Sequence, residues 1–171
     1  STLSPSSAAS DVYKRQESDY ESNIDAMMTE MDQFNLSDEL SNSYRQLFKD
    51  VYAKAKYTVK DAEKMDDKDG YYVTVEIEQM TGLFNGIQEE LMTEFTEWAN
   101  SFDADTYPTE DEMYEQMYQM MYDLMSARLD SITYNDPQEV VVEVIGEDNV
   151  YSISDGSMTE LDEALLDVAT E

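Results

Sequence analysis

Residues 71–80 read YYVTVEIEQM, and this stretch decides the fold because its side chains alternate in character. The first set, on one side of the alternation, is Tyr71, Val73, Val75 and Ile77. The second set, which is more polar, is Tyr72, Thr74, Glu76 and Glu78. An alternation of period two is typical of a β-strand with one face in the core and one face in water. We therefore expect Val73 and Val75 to face the helices of the protein.

Two β-hairpins extend from this strand. A second alternating run, KYTVKDAEK at residues 56–64, precedes it and is separated from it by the turn signal DDKDG at 66–70. Further along, residues 140–145 and 150–153 alternate again around the turn Gly-Glu-Asp-Asn at 146–149. Strands in pairs with short turns predict an antiparallel sheet of two hairpins, about four strands in all.

Amphipathic helices are predicted between and around the hairpins, since apolar residues recur there every three or four positions. The expected helical ranges are 17–34, 38–54, 83–102, 113–132 and 157–168. Ser37 is a candidate N-cap, and Thr109 with Glu112 forms a candidate capping box. Ser157 with Glu160 forms a second candidate box. The predicted fold class is α+β, an antiparallel sheet packed against several helices.

The first residues differ in composition from the rest. Residues 1–16 read STLSPSSAASDVYKRQ, which is rich in Ser and Ala and shows no clear apolar period. We expect a disordered tail, or a segment that is not native protein, since SDVYKRQ resembles translated adapter sequence. Residues 17–171 are expected to form a single α+β domain.

The charge of the chain excludes several partners. Forty acidic against ten basic side chains give a formal net charge of −30. Such a charge repels phosphate backbones and anionic lipid headgroups, so nucleic acid and anionic membrane surfaces are not expected as partners. Cations and basic partners remain compatible with it. No run of about 18 apolar residues occurs, so no transmembrane segment is expected in this chain.

The missing residue types exclude several kinds of chemistry. The chain has no Cys and no His, which excludes thiolate zinc sites, cysteine nucleophiles and a Ser-His-Asp triad. An enzyme built from these residues would need carboxylates, Tyr, Lys or an oxygen-bound cation. No motif indicates a cofactor.

The order of helix, KYTVKDAEK, YYVTVEIEQM, helical stretch and EVVVEVIGEDNVYSISD resembles the cystatin/NTF2-like sheet domains of small lipoproteins from Gram-positive gut bacteria. The resemblance covers about residues 40–166. The last strand of such domains often carries Gly-x-Trp-x-Ile; here Tyr151 and Ile153 occupy the equivalent places and the Trp is absent. The helical insert is longer, and the lipid-bearing Cys is absent. The resemblance implies an exported, surface-tethered protein and no shared enzyme activity.

Two groups of aromatic residues are candidates for ligand binding. Trp98, the only Trp, lies in an apolar stripe with Phe95 and Phe102 and could line a pocket, although core packing is the plainer interpretation. The helix around residues 113–125 combines Met with Tyr, a composition that suits adaptable apolar surfaces. Its candidate ligand residues are Tyr114, Tyr118 and Tyr122, which packing on a sheet would also explain.

The acidic clusters show no spacing typical of a metal site. Asp103 and Asp105 come nearest to a cation-binding loop, but the pattern lacks the Gly and distal Glu of an EF-hand. No metal site is predicted, and weak, non-specific cation binding is the expectation.

Together these features favour a non-enzymatic extracytoplasmic domain that binds an unknown protein, peptide or small-molecule ligand. The alternative is a small enzyme of NTF2-like type with a Tyr/Asp pair in a cone-shaped pocket. An exposed apolar groove would favour the first, and an enclosed cavity with a buried carboxylate would favour the second. Localisation at the cell surface follows only from the resemblance.

Overall fold

The structure, a computed structural model, describes residues 4–148 and 150–169. The described α-helices are α1 Pro5–Met31, α2 Asp38–Ala53, α3 Ile87–Asn100, α4 Glu110–Arg128 and α5 Asp155–Leu165. Two single turns of 3₁₀-helix are Asp32–Phe34 and Leu129–Ser131. The described strands are β1 Lys56–Lys64, β2 Gly70–Glu78, β3 Met80–Thr81, β4 Thr133–Tyr134, β5 Gln138–Glu147 and β6 Val150–Ile153. None of the described helices is long and apolar enough to cross a membrane. The predicted α+β class is confirmed.

The described residues group into two compact units. Residues 4–21, 55–80 and 134–167 form the sheet unit, and residues 22–54, 81–133 and 168–169 form the helical unit. The sequence predicts a single domain over 17–171. Whether the two units fold as one cooperative domain stays a prediction.

The sheet unit is built on a four-stranded antiparallel sheet in the order β1-β2-β5-β6, which joins the two predicted hairpins through β2 and β5. Val73 lies opposite Val142 and Val75 opposite Val140. Val73 is 0% and Val75 1% exposed, whereas the side chains on either side of them face the other way. The predicted register is therefore confirmed, and burying each Val stabilises the unit by roughly 1.5–3 kcal/mol. The strands β3 and β4 pair as a separate two-stranded sheet.

At one end of the sheet, the backbone of β2 lies very close to the backbone of β5. A side chain at Gly70 would place its Cβ 2.5 Å from the carbonyl oxygen of Val144, so only glycine fits there. Nearby, the amide of Gly146 donates to the carbonyl of Asp69 at 2.8 Å, and the hydroxyl of Tyr151 donates to the Asp69 carboxylate at 3.2 Å. Gly146 and Glu147 of the turn predicted at 146–149 instead lie in β5 and pair with Tyr151 and Val150, so the strand extends further than expected. Asp148 is a turn residue with φ 52°, and Asn149 lies outside the described residues.

Helices α1 and α5 cover the apolar face of the sheet. Ala8 and Val12 of α1 are buried with Leu161 and Leu165 of α5 against the strand residues of the core. Residues 5–16 are thus helical and packed, so the expectation of a disordered tail is wrong for them; residues 1–3 lie outside the described part. The reason is that Ala8 and Val12, four positions apart, occupy one face of the helix. Whether residues 1–16 belong to the natural protein stays a prediction.

The helix ends follow local rules in most places. Asn35 adopts the left-handed conformation (φ 52°) after the first helix, and Ser37 caps α2 by accepting a hydrogen bond from the amide of Leu40. The predicted capping box of Thr109 and Glu112 is complete in α4.

The predicted capping box at Ser157 is wrong. Helix α5 begins at Asp155, and its N-cap lies three residues before the predicted one, at Ser154, whose Oγ accepts from the amide of Ser157 at 3.2 Å. Ser157 is buried, and its own Oγ accepts a hydrogen bond from the amide of Glu143 in β5 at 3.2 Å. The observed cap is local, since Ser154 and Ser157 are three positions apart, whereas the bond of Ser157 to Glu143 joins residues 14 positions apart.

Candidate functional site

Helix α4 packs its tyrosine stripe against other aromatic residues of the helical unit. The ring of Phe34 lies 4.9 Å from both Tyr114 and Tyr118, measured between centroids. The ring of Tyr44 in α2 lies 5.6 Å from Tyr122 and 6.1 Å from Tyr118, in edge-to-face geometry. The three predicted ligand tyrosines are therefore brought together, and each packs against Phe34, Tyr44 or both.

Tyr44 anchors this packing. It is fully buried, and its hydroxyl donates to the main-chain carbonyl of Tyr118. Burial raises the pKa of the Tyr44 hydroxyl far above its usual range, with the neighbouring Tyr118 and Asp123 adding to the shift. Burial also raises the pKa of Tyr118, with a contribution from Tyr114. These hydroxyls stay protonated near neutral pH and act as hydrogen-bonding groups.

Two polar contacts hold α4 to the start of α2. The carboxylate of Glu115 accepts from the amide and the hydroxyl of Ser37, at 2.7 and 2.8 Å. The carboxylate of Asp111 accepts from the side-chain amide of Asn35 at 3.0 Å. Sequence reasoning identified Ser37 as a candidate N-cap but not its partner Glu115, which lies 78 positions away.

Trp98 belongs to a different aromatic group. Its ring lies 5.6 Å from Phe95 and 5.0 Å from Phe102, so the stripe predicted from sequence does form. All three side chains are half-buried. The described ring contacts join them to one another and not to Tyr114, Tyr118 or Tyr122. The structure therefore separates the predicted ligand residues into two places.

Helix α3 carries one exposed apolar side chain and several half-buried ones. It packs against α4, and Glu90 near its start pairs with Arg128 at the end of α4, which makes the two helices an antiparallel hairpin. Among the side chains of α3, only Ile87 is buried, while Met92 is 59% exposed. We call this partly exposed apolar side the α3 flank. Its members are Leu91, Met92, Phe95, Trp98 and the following Phe102.

Acidic side chains surround this flank. Residues 81–133 contain 12 acids and one base, Arg128. Glu89, Glu94 and Glu97 of α3 are exposed and pair with no basic side chain in the part of the chain that the structure describes. The site therefore combines exposed apolar area with uncompensated negative charge.

Neither of two surface depressions provides an enclosed pocket for the predicted ligand residues. One, of about 360 Å³, is lined by residues of β1 and β2 including Tyr57 and Glu76. The other, of about 350 Å³, lies between α1 and α2 around Asp25 and Arg45. Both are open, and neither is lined by Trp98 or the α4 tyrosines.

The acidic loop after α3 is organised by its own hydrogen bonds. The amide of Asp103 donates to Thr106 Oγ1 at 3.1 Å, and the amide of Thr106 donates to the Asp103 carbonyl at 3.1 Å. Over residues 4–148 and 150–169, no three acidic side chains are grouped as metal ligands would be.

The comparisons with known proteins bear on the fold. A scan of protein-family models and a search of curated proteins found no match. Among solved structures, the chain is similar to the 2.62 Å crystal structure of a candidate lipoprotein (ycdA) from Bacillus subtilis subsp. subtilis str. 168, with a TM-score of 0.52 and 13% identity. The match covers 85% of this chain and 45% of that one, so this chain spans less than half the length of that protein. At this identity the likeness shows a shared α+β fold.

Proposed function

We propose that this chain is a non-enzymatic extracytoplasmic domain, of cystatin/NTF2-like type, that binds a partner through the α3 flank. The observation that carries the proposal is the exposure of this apolar surface. Met92 is 59% exposed beside half-buried Phe95 and Trp98, on a helix with a single buried residue. Contiguous apolar patches at a protein surface mark interaction sites.

The composition of the flank also fits an interaction surface. Aromatic residues and methionine are enriched at the cores of protein interfaces. Trp98 is the candidate binding residue that this flank carries. In this proposal Tyr114, Tyr118 and Tyr122 act indirectly. Their packing holds α4 in place, and α4 in turn supports α3.

The alternative, an NTF2-like enzyme with a Tyr/Asp pair, has weaker support. Such an enzyme would require an enclosed cavity around a buried carboxylate. The Tyr151–Asp69 pair lies in an exposed turn of the sheet unit, and the two depressions described above are open and do not include it.

An extracytoplasmic location is supported by the resemblance of the sequence to small lipoproteins and by the likeness of the fold to a candidate lipoprotein. The full-length gene product should then fractionate with the cell envelope and be cleaved by protease added to intact cells. Protection from protease in intact cells, with cleavage after lysis, would contradict this location.

Site-specific photo-crosslinking tests the interaction. A photoreactive amino acid replaces Met92 in the full-length protein, and a matched control replaces Val141, which is 51% exposed in the sheet unit. We expect a discrete adduct from position 92, reduced by Phe95→Ser, and none from position 141. Equal adducts from both positions, or none from position 92, would contradict the α3 flank as the binding surface.

A further inference from the structure

The shape of the α3 flank restricts what can dock on it. Met92 and Trp98 are six positions apart in α3, which corresponds to about 9 Å along the helix axis. Phe95 lies between them, so the exposed Met92 and the half-buried rings form a stripe just under two turns long. A stripe of this kind matches the apolar side of another helix, whose anchors also recur every three or four residues.

The charge around the flank restricts the occupant further. Glu89, Glu94 and Glu97 are exposed beside the stripe and have no basic partner among the described residues. The base of residues 81–133, Arg128, pairs with Glu90. A partner that brings Lys or Arg to this rim gains electrostatic attraction, whereas an acidic partner is repelled.

A second copy of this chain fits poorly on the same grounds. Each copy has a net charge of −30, and the acids of the helical unit would be brought face to face. An anionic lipid surface is disfavoured for the same reason. Charge complementarity thus favours a basic protein segment over both.

We infer that the occupant of the α3 flank is a basic amphipathic helix of a partner protein. Its apolar side packs on Met92, Phe95 and Trp98, and its Lys or Arg side chains lie over Glu89, Glu94 and Glu97. This inference rests on the proposed function, and it adds the chemical class of the partner.

The probe is a peptide of about 18 residues made of Leu and Lys, with Leu at helical spacing, measured against the whole chain. Trp98 is the only Trp, so its fluorescence reports binding at the flank directly. We expect a saturable blue shift whose dissociation constant increases about tenfold or more between low and physiological salt. A scrambled peptide of the same composition and a Leu/Glu version should bind at least about tenfold more weakly.

Matched charge variants separate this site from general attraction to an acidic protein. The triple change Glu89→Gln, Glu94→Gln and Glu97→Gln should weaken binding about tenfold. The control triple is Glu63→Gln, Glu147→Gln and Glu160→Gln, which removes the same charge from exposed positions of the sheet unit. It should change the dissociation constant by less than about threefold.

Matched apolar variants test the stripe itself. Met92→Ser should weaken binding about tenfold, because it removes an exposed contact without disturbing the core. Val150→Ser, at a position 66% exposed in the sheet unit, should leave the dissociation constant unchanged.

Several outcomes would overturn the inference. These are equal weakening by the two triples, equal binding of the Leu/Lys and Leu/Glu peptides, or dimerisation of the free chain that Met92→Ser abolishes. If the peptide fails to bind but position 92 still crosslinks to an acidic or neutral protein, the partner class is wrong and the proposed function survives. The absence of a crosslink at position 92 would contradict both the partner class and the proposed function.

Discussion

The hydroxyl of Tyr44 donates a hydrogen bond to the main-chain carbonyl of Tyr118, a residue 74 positions further along the chain. This bond joins α2 to α4 inside the aromatic packing of the helical unit. It also holds a carbonyl of α4 that would otherwise lack a partner for its second lone pair. Together with the Ser37–Glu115 contact and the ring packing on Phe34, this bond joins α4 to the region of α2.

Tyr44→Phe should therefore destabilise the protein by about 1 kcal/mol, since it removes one buried hydrogen bond and keeps the ring. Chemical denaturation measures the free energy of unfolding. The matched control is Tyr107→Phe, at a position 54% exposed, which should have no measurable effect. Equal stabilities of the Tyr44→Phe variant and the parent would show that the bond contributes nothing.

The pKa of Tyr44 predicts a loss of stability in alkali. Burial raises its pKa in the folded state above the unfolded value of about 10, so the folded state retains a proton that the unfolded state releases. The stabilising contribution is complete below pH 10 and declines as the pH increases beyond it. Melting temperatures between pH 9 and 11 should fall less steeply in Tyr44→Phe than in the parent. Parallel declines would contradict a raised pKa.

The register of β2 predicts a contrast between neighbouring positions. Val75 is 1% exposed, so Val75→Asp buries a carboxylate in the core and should cost more than about 3 kcal/mol. Thr74→Asp lies on the other face and should cost much less. Thermal melts of both variants, with far-UV circular dichroism, measure the difference. Equal melting temperatures would mean that the register is wrong.

The packing of α1 predicts that residues 1–16 contribute to stability. A chain starting at Glu17 loses the buried side chains of Ala8 and Val12, and should melt at least about 4 °C below the full chain. Val12→Asp should lower the melting temperature as well, whereas Lys14→Asp, at an exposed position, should not. If the truncated chain had the same melting temperature as the full chain, the prediction of a disordered tail at residues 1–16 would be supported instead.

The acidic composition predicts stabilisation by salt without a specific cation site. Screening over about 8–10 Å reduces repulsion among the carboxylates, so sodium and calcium at matched ionic strength should increase the melting temperature about equally. A saturable shift with calcium alone, lost in Asp103→Asn, would instead identify a calcium site at Asp103 and Asp105.

Features set by a few neighbouring residues could be predicted from the sequence. The period of two in YYVTVEIEQM places Val73 and Val75 in the core because the pleat of a strand leaves no other choice once one face is buried. The capping box of Thr109 and Glu112 is equally local, since both hydrogen bonds form within one turn.

Features set by distant contacts could not be predicted. Ser157 is buried against β5 instead of capping a helix, and Ala8 and Val12 pack against the sheet in a segment whose composition suggested disorder. Distant contacts also explain why the candidate ligand residues lie in two separate places. Tyr114 and Tyr118 pack on Phe34, about 80 positions away, whereas Trp98 stacks on residues three and four positions from it.

The accessibility of Met92 to oxidation tests the proposed docking surface most directly. Dilute peroxide should oxidise Met92, which is 59% exposed, well before the buried Met80 and Met125, and mass spectrometry can follow each methionine separately. The basic amphipathic peptide at saturating concentration should slow the oxidation of Met92 about tenfold and leave other methionines outside the α3–α4 hairpin unchanged. An unchanged rate at Met92 in the presence of bound peptide would contradict docking on the α3 flank.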